Sequence, residues 1–103
     1  VDIVSRVGSP VVATADGIVL YASRRGAYGN TVVVDHKYGM MTLYGHLKGY
    51  NTRPGRKVKR GDVIGYVGNT GRSRGPHLHY EVWRDGSVLD PRPYMDGSPA
   101  SED

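Results

Sequence analysis

Gly75-Pro76-His77-Leu78-His79-Tyr80-Glu81-Val82-Trp83 is the stretch on which both fold and chemistry turn. Pro76 lacks a backbone N–H and blocks helix at the start of the run, while Tyr80, Val82 and Trp83 favour extended chain. Side chains alternate faces along a strand, so His77 and His79 point the same way, roughly 7 Å apart along the backbone. Leu78, Tyr80 and Val82 take the opposite, core-facing side. Two imidazoles on one face suit a metal site, where one binds the ion while its neighbour handles protons. Taken alone, the pair reads more readily as two polar residues on the wet face of a half-buried strand. The rest of the chain decides.

Just upstream, Gly68-Asn69-Thr70-Gly71-Arg72-Ser73-Arg74-Gly75 has the look of a phosphate cradle. A Walker loop needs Lys-Ser/Thr directly after its second Gly and then a helix. Here Arg72-Ser73 follows Gly71 and a strand comes next, so nucleotide binding is excluded. The glycines let the backbone pass close to a site or a substrate.

The 103 residues suffice for one domain with a modest core. With 15 Gly, 6 Pro and short apolar runs that never sustain a 3.6-residue period, the pattern is all-β. Phe is absent; eight Tyr and one Trp carry the aromatic volume, and their polar tips need partners or water. Without Cys there are no disulfides and no thiolate ligands, leaving nitrogen and oxygen donors for any metal. No run approaches the roughly 18 apolar residues of a membrane span. There is no signal peptide and Val1 is not an initiator Met, so the chain reads as a processed or excised piece.

The net charge is +4 and the pI near 9.5, which makes a polyanionic partner or surface plausible, with nucleic acid one candidate and an acidic cell-wall polymer another. Basic residues cluster at Arg53, Arg56, Lys57, Lys59 and Arg60, and again at Arg72 and Arg74. A solvated basic rim that keeps a small domain soluble explains them equally well. No nucleic-acid motif accompanies these charges, and no nucleic-acid partner is expected.

In chain order, Val1 to Val4 is a short apolar edge carrying Asp2, and Gly8-Ser9-Pro10 marks a turn. Val11-Val12-Ala13 reads as a strand, and Asp16-Gly17 as a hairpin signal leading into Ile18 to Ala22. A polar loop from Ser23 to Asn30 precedes the β-branched strand Thr31 to His36. Tyr38-Gly39 turns the chain into a strand over Met40 to Leu47. Gly49 to Arg60 is a basic loop with a short strand near Val58. Arg60-Gly61-Asp62 matches an adhesion tripeptide, but reads better as a turn into the strand Val63 to Val67. After Trp83, Asp85-Gly86 turns into a last strand at Val88-Leu89. Residues 1–94 form the domain, and 95–103 are expected to be a frayed tail. His36, at a strand end beside Lys37, is expected to be exposed.

Several segments together resemble one family. They are Asp2-Ile3; Gly8 to Ala13; Asp16 to Val19; Tyr28-Gly29-Asn30; Thr42-Leu43-Tyr44-Gly45-His46-Leu47; Val58 to Gly65; and Gly68 through Glu81. The chain is similar to the lysostaphin-type, or LytM-like, zinc metallopeptidases that cut peptide bridges in bacterial peptidoglycan. The similarity runs from Asp2 to about Pro91 and is most specific between Gly68 and Glu81.

The resemblance implies a compact antiparallel β domain, a distorted sandwich with a substrate groove walled by loops. It implies Zn²⁺ held by Asp2, by His79 and by a further histidine four positions before Asp2, a position that precedes this sequence; truncation just after that histidine is the expectation. It also implies that His46 and His77 are a non-ligand catalytic pair. Glu81, on the face of His79, is a candidate to orient that ring from outside the ligand set; a surface carboxylate paired with Arg is the alternative. Asn30 and Tyr44 are candidates for lining the groove and binding peptide backbone, with core or turn roles equally open. The implied activity is hydrolysis of peptidoglycan stem peptides or cross-bridges in the bacterial envelope, periplasmic or extracellular. A non-catalytic domain of this fold that binds peptidoglycan or activates an amidase is the alternative. A phosphocarrier β domain with phosphate-accepting histidines fits the Gly-Pro-His-Leu-His run poorly.

Overall fold

The computed structural model describes residues 2–4, 6–70 and 77–89. The strands are β1 (Asp2–Val4), β2 (Pro10–Val12), β3 (Gly17–Arg24), β4 (Asn30–Asp35), β5 (Met40–Tyr50), β6 (Lys57–Val58), β7 (Val63–Val67), β8 (His77–Arg84) and β9 (Ser87–Leu89). Among the described residues a 3-10 turn spans Gly26–Tyr28. The anticipated tail at 95–103 lies outside the described residues, as does the glycine-rich segment from Gly71 to Pro76.

The sheet is antiparallel and runs β1-β8-β5-β4-β3-β6, with β9 on β8 and β2 on β7. β5 holds it together. Its first half pairs with β4 and β8, and its end pairs with β7 at Leu47↔Val67 and Tyr50↔Gly65. The sheet therefore curls so that β2 and β7 close over the core. Val11, Ile64 and Val67 from that flap meet Val34, Leu47 and Val82 from the main sheet. Close approach at the seam needs Gly68, where a Cβ would stand 2.2 Å from the Lys48 nitrogen.

The missing phenylalanines are replaced by Tyr44 and Tyr80, both 1% exposed, with rings 5.4 Å apart. Their hydroxyls are satisfied inside the core. Thr14 Oγ1 lies 3.1 Å from the Tyr44 hydroxyl and 2.9 Å from that of Tyr80, and Thr42 Oγ1 donates to Tyr44 at 2.8 Å. Each such bond has a net worth of about 1 kcal/mol, and stranding one partner costs more.

Three sequence expectations change. Asp16-Gly17 does not make a hairpin, because β2 pairs with β7 while β3 pairs with β4 and β6. Gly17 is required there by crowding rather than by a turn, since a Cβ would meet the Asp35 carbonyl oxygen at 2.5 Å. His36 is half-buried, not exposed: Nδ1 lies 2.8 Å from the Asp16 carbonyl and Nε2 lies 2.7 Å from Thr42 Oγ1. The β5 strand continues past Leu47 to Tyr50, because β7 supplies a second partner. By contrast, Asp85 and Gly86, both at positive φ, form the turn expected between β8 and β9. Arg60-Gly61-Asp62 is likewise a turn, closed by Asp62 N donating to the Lys59 carbonyl at 2.9 Å. Among the described residues no helix is long and apolar enough to cross a membrane.

Candidate active site

The site forms on the face of β8 opposite the core. His77 and His79 are half-buried on that face, while Tyr80 and Val82 are buried behind them. In register, Gly45 of β5 stands opposite His79. On the other edge Asp2 of β1 stands opposite His79, and Val4 opposite His77.

His46 reaches this face because β5 is bulged. Strict alternation would put His46 on the core side with Tyr44 and leave Leu47 on the site side. Instead Tyr44 pairs with Val32 and Leu47 with Asn30, so β5 carries one more residue than β4 across this interval. The extra residue is accommodated at His46, whose φ of 59° is left-handed. That conformation costs on the order of 1 kcal/mol in a non-glycine residue and re-aims the ring. Leu47 is thereby returned to the core at 0% exposure, and the His46 ring lies 4.8 Å from His77 and 5.7 Å from His79.

The bulge is tied down from two sides. Thr70 Oγ1 donates to the Leu47 carbonyl at 2.7 Å and accepts from Asn30 N at 3.1 Å. The Asn30 amide donates to the Leu47 and Lys48 carbonyls at 3.1 and 3.3 Å. Asn30 therefore serves as a tether between strands. His46 Nδ1 lies 2.7 Å from the Thr70 carbonyl oxygen. A carbonyl only accepts, so Nδ1 carries the proton and the lone pair of the neutral ring sits on Nε2.

Glu81 organises the other end. Its Oε2 lies 2.7 Å from His79 Nε2 and accepts from the Tyr28 hydroxyl at 3.2 Å, while Oε1 accepts from Trp83 Nε1 at 2.9 Å. Burial alone would raise the Glu81 carboxyl. The hydrogen bonds from His79 and Trp83, the attraction of the His79 ring when it is protonated and the Tyr28 hydroxyl outweigh it, and the group sits below its ordinary value. Tyr28 is pushed up by burial and by the Glu81 charge, so its phenol remains a donor. Bonded in this way, Glu81 orients the His79 ring through Nε2.

Tyr44 is a core residue. Its ring lies behind β8, so the groove-lining alternative is set aside for it. Tyr28, Trp83 and Thr70 are contributors that residue-by-residue reading passed over. Trp83 was accessible to period-two counting from His79 and Glu81, and Tyr28 lies in a segment that carries the family resemblance. Nothing in the sequence marks the Thr70 carbonyl.

Among the described residues no three His, Cys, Asp or Glu side chains close on a common metal position. The donor chemistry nonetheless fits zinc: an imidazole with its outer nitrogen oriented by a carboxylate, and an Asp position opposite it in register.

The curled antiparallel sheet matches the lysostaphin-like fold, and here it carries a histidine cluster on the outer face of the β5–β8 pair. The chain belongs to Peptidase family M23, whose model matches residues 1–91. It is 46% identical over 91 residues to the DD-carboxypeptidase/endopeptidase Mpg of Neisseria meningitidis, covering 88% of this chain and 21% of that protein. The chain thus spans about a fifth of the length of that curated relative. A zinc-containing peptidase from Vibrio cholerae is similar at TM-score 0.84 and 38% identity, covering 86% of this chain and 28% of that one. The catalytic domain of lysostaphin from Staphylococcus simulans is similar at TM-score 0.84 and 32% identity, covering 90% of this chain and 74% of that one.

Proposed function

We propose that this domain is a zinc-dependent endopeptidase that hydrolyses peptide cross-links of bacterial peptidoglycan, acting in the envelope on its periplasmic or extracellular side. The observation that carries the reading is the convergence of three imidazoles on one face with Asp2 opposite His79 in the β1–β8 register. Membership of the family and the similarity to peptidoglycan-cutting relatives support it.

Asp2 and His79 would hold the ion, together with a histidine at the position four residues before Asp2, which precedes this sequence. When bound, zinc supplies a water of lowered pKa and polarises the scissile carbonyl. Hydrolysis adds water across the C–N bond: its oxygen goes to the acyl carbon, and the departing nitrogen needs a proton. His46 is built for that proton, with Nδ1–H anchored on Thr70 and its lone pair at Nε2. His77, 4.8 Å away and edge-on to His46, completes a pair that can take a proton from water and deliver it to the amine. Glu81 keeps His79 in one tautomer, and Tyr28 and Trp83 keep Glu81 in place.

The test is made on protein that carries the upstream histidine position. Zinc stoichiometry of about one per chain and release of cleaved muropeptides are expected. His46→Ala retains zinc and loses cleavage; joint loss of metal and cleavage refutes the division between ligand and proton-handling residues. Zinc-loaded wild-type protein that binds peptidoglycan without releasing products would favour a non-catalytic binding domain.

A further inference from the structure

The net charge of this chain is concentrated in one short segment. Residues 53–60, Arg53-Pro54-Gly55-Arg56-Lys57-Val58-Lys59-Arg60, hold five cations and no carboxylate. Subtracting those five from +4 leaves −1 for the remainder of the chain. All five cations are exposed, and among the described residues none of them forms an ion pair.

The segment is held rigidly. Gly55 N donates to the Val19 carbonyl at 2.7 Å, Val19 N donates to the Arg56 carbonyl at 2.9 Å, and Val58 is anchored in the core at 6% exposure. Two carboxylates bonded to the segment, Asp16 and Asp62, accept from the backbone N–H groups of Arg60 and Lys59, both at 2.8 Å. Even counting both, the local balance is five minus two, or +3. A flexible solubilising rim needs no such scaffold.

This edge is remote from the histidines. From β8 the sheet order passes through β5, β4 and β3 to β6, four strand spacings or about 19 Å along the sheet. His46, on β5, is three spacings from it, so a polymer engaged at the histidines has to extend across the sheet to reach this edge.

We propose that the β3–β6 edge is a second, non-catalytic docking surface for the ionised carboxylates of peptidoglycan, holding the insoluble polymer while the histidine face acts on one of its cross-links. This rests on the hydrolase reading for the identity of the polymer; the exposed cations, unpaired among the described residues and carried on an anchored backbone, are the independent observation. Such contacts are electrostatic and screened by salt.

The experiment compares wild type with Arg56→Gln/Lys57→Gln/Lys59→Gln, and with Arg53→Gln/Arg60→Gln as a second variant whose changes lie elsewhere on the segment. Co-sedimentation with intact purified sacculi is measured at low salt and at about 0.5 M salt, where the screening length falls to a few ångströms. Cleavage of a soluble cross-linked muropeptide dimer is measured in parallel. The expected result is salt-sensitive sedimentation of the wild type, at least about tenfold weaker binding by the triple variant, and soluble-dimer cleavage within about twofold of wild type. Unfolding midpoints close to wild type certify the variants, and the double variant decides if the triple one does not fold. Wild-type-like sedimentation of the folded variants overturns the proposal. So does capture of the protein by phosphatidylglycerol vesicles but not by sacculi, which assigns the edge to a membrane. Wild-type protein that carries the upstream histidine position, is zinc-loaded and sediments through this edge yet never cleaves the soluble dimer defeats the hydrolase reading and leaves the docking surface standing.

Discussion

His36 and His46 sit on either side of β5's first half, and their surroundings differ in kind. Both nitrogens of His36 are engaged at 2.7–2.8 Å, with the Asp16 carbonyl and with Thr42 of the Tyr44–Thr14–Tyr80 hydroxyl network. That ring fastens a strand end. His46 has one nitrogen fixed on the Thr70 carbonyl and stands beside two further imidazoles on a bulge that costs backbone strain. The difference lies in which nitrogens the fold consumes, not in residue type. Fully spent, a histidine is structural; half-anchored on a strained bulge, it is available for chemistry.

Exchanging the two histidines' fates gives the largest expected contrast. His46→Ala is predicted to lower kcat/KM by at least about 10²-fold, the range in which a positioned acid–base group acts. His36→Gln is predicted to leave kcat/KM nearly unchanged while lowering the unfolding midpoint. Equal losses of activity in the two variants would erase the distinction.

Next in size is the carboxylate behind His79. Glu81→Ala is predicted to weaken zinc binding by about 10- to 100-fold, as loss of an outer partner of a ligating imidazole does. Zinc titration against a competing chelator reads this without any activity assay. Trp83, whose Nε1 donates to Glu81, supplies a fluorescence signal for the same change.

On the structural side, Tyr44→Phe is predicted to cost about 1–2 kcal/mol at neutral pH, because Thr14 and Thr42 lose their phenol partner. Tyr44 also carries a pH signature. Burial raises its pKa, overriding hydrogen bonds from Thr14 and Thr42 that lower it. A raised folded value means that its contribution is complete below the ordinary tyrosine range and is lost as pH rises through the folded value, above about pH 10. Denaturant melts along this alkaline limb are expected to flatten in Tyr44→Phe.

The smallest effect is expected at Thr70→Val. It removes the hydroxyl bridging Asn30 N and the Leu47 carbonyl but keeps the backbone carbonyl that orients His46. A stability loss of about 1 kcal/mol and a modest fall in kcat are predicted. An unchanged kcat would show that the bulge holds without this clamp.

The strands were legible wherever local pattern and pairing agree. Alternation from His77 to Trp83 correctly divided site face from core face, and β-branched Thr31 to Val34 became the buried β4. Asp16-Gly17 misled because a dipeptide preference for hairpins cannot report that β2's partner comes from β7, some fifty residues later. The same limit applies to His46. Its segment attracts notice through family resemblance, yet the bulge that turns it outward is a count of residues between two partner strands, visible only once β4 is paired. Tyr44 shows the reverse. A residue two positions from a site histidine belongs to the core because the bulge separates their faces.

The most direct test of the central claim is hydrolysis of a purified cross-linked muropeptide in ¹⁸O-labelled water, by zinc-loaded protein that carries the upstream ligand position. Two products are expected, one bearing a single ¹⁸O in its new carboxylate, with formation stopped by chelation and restored by zinc. An intact dimer despite verified zinc loading, or undiminished ¹⁸O incorporation by His46→Ala, would contradict it.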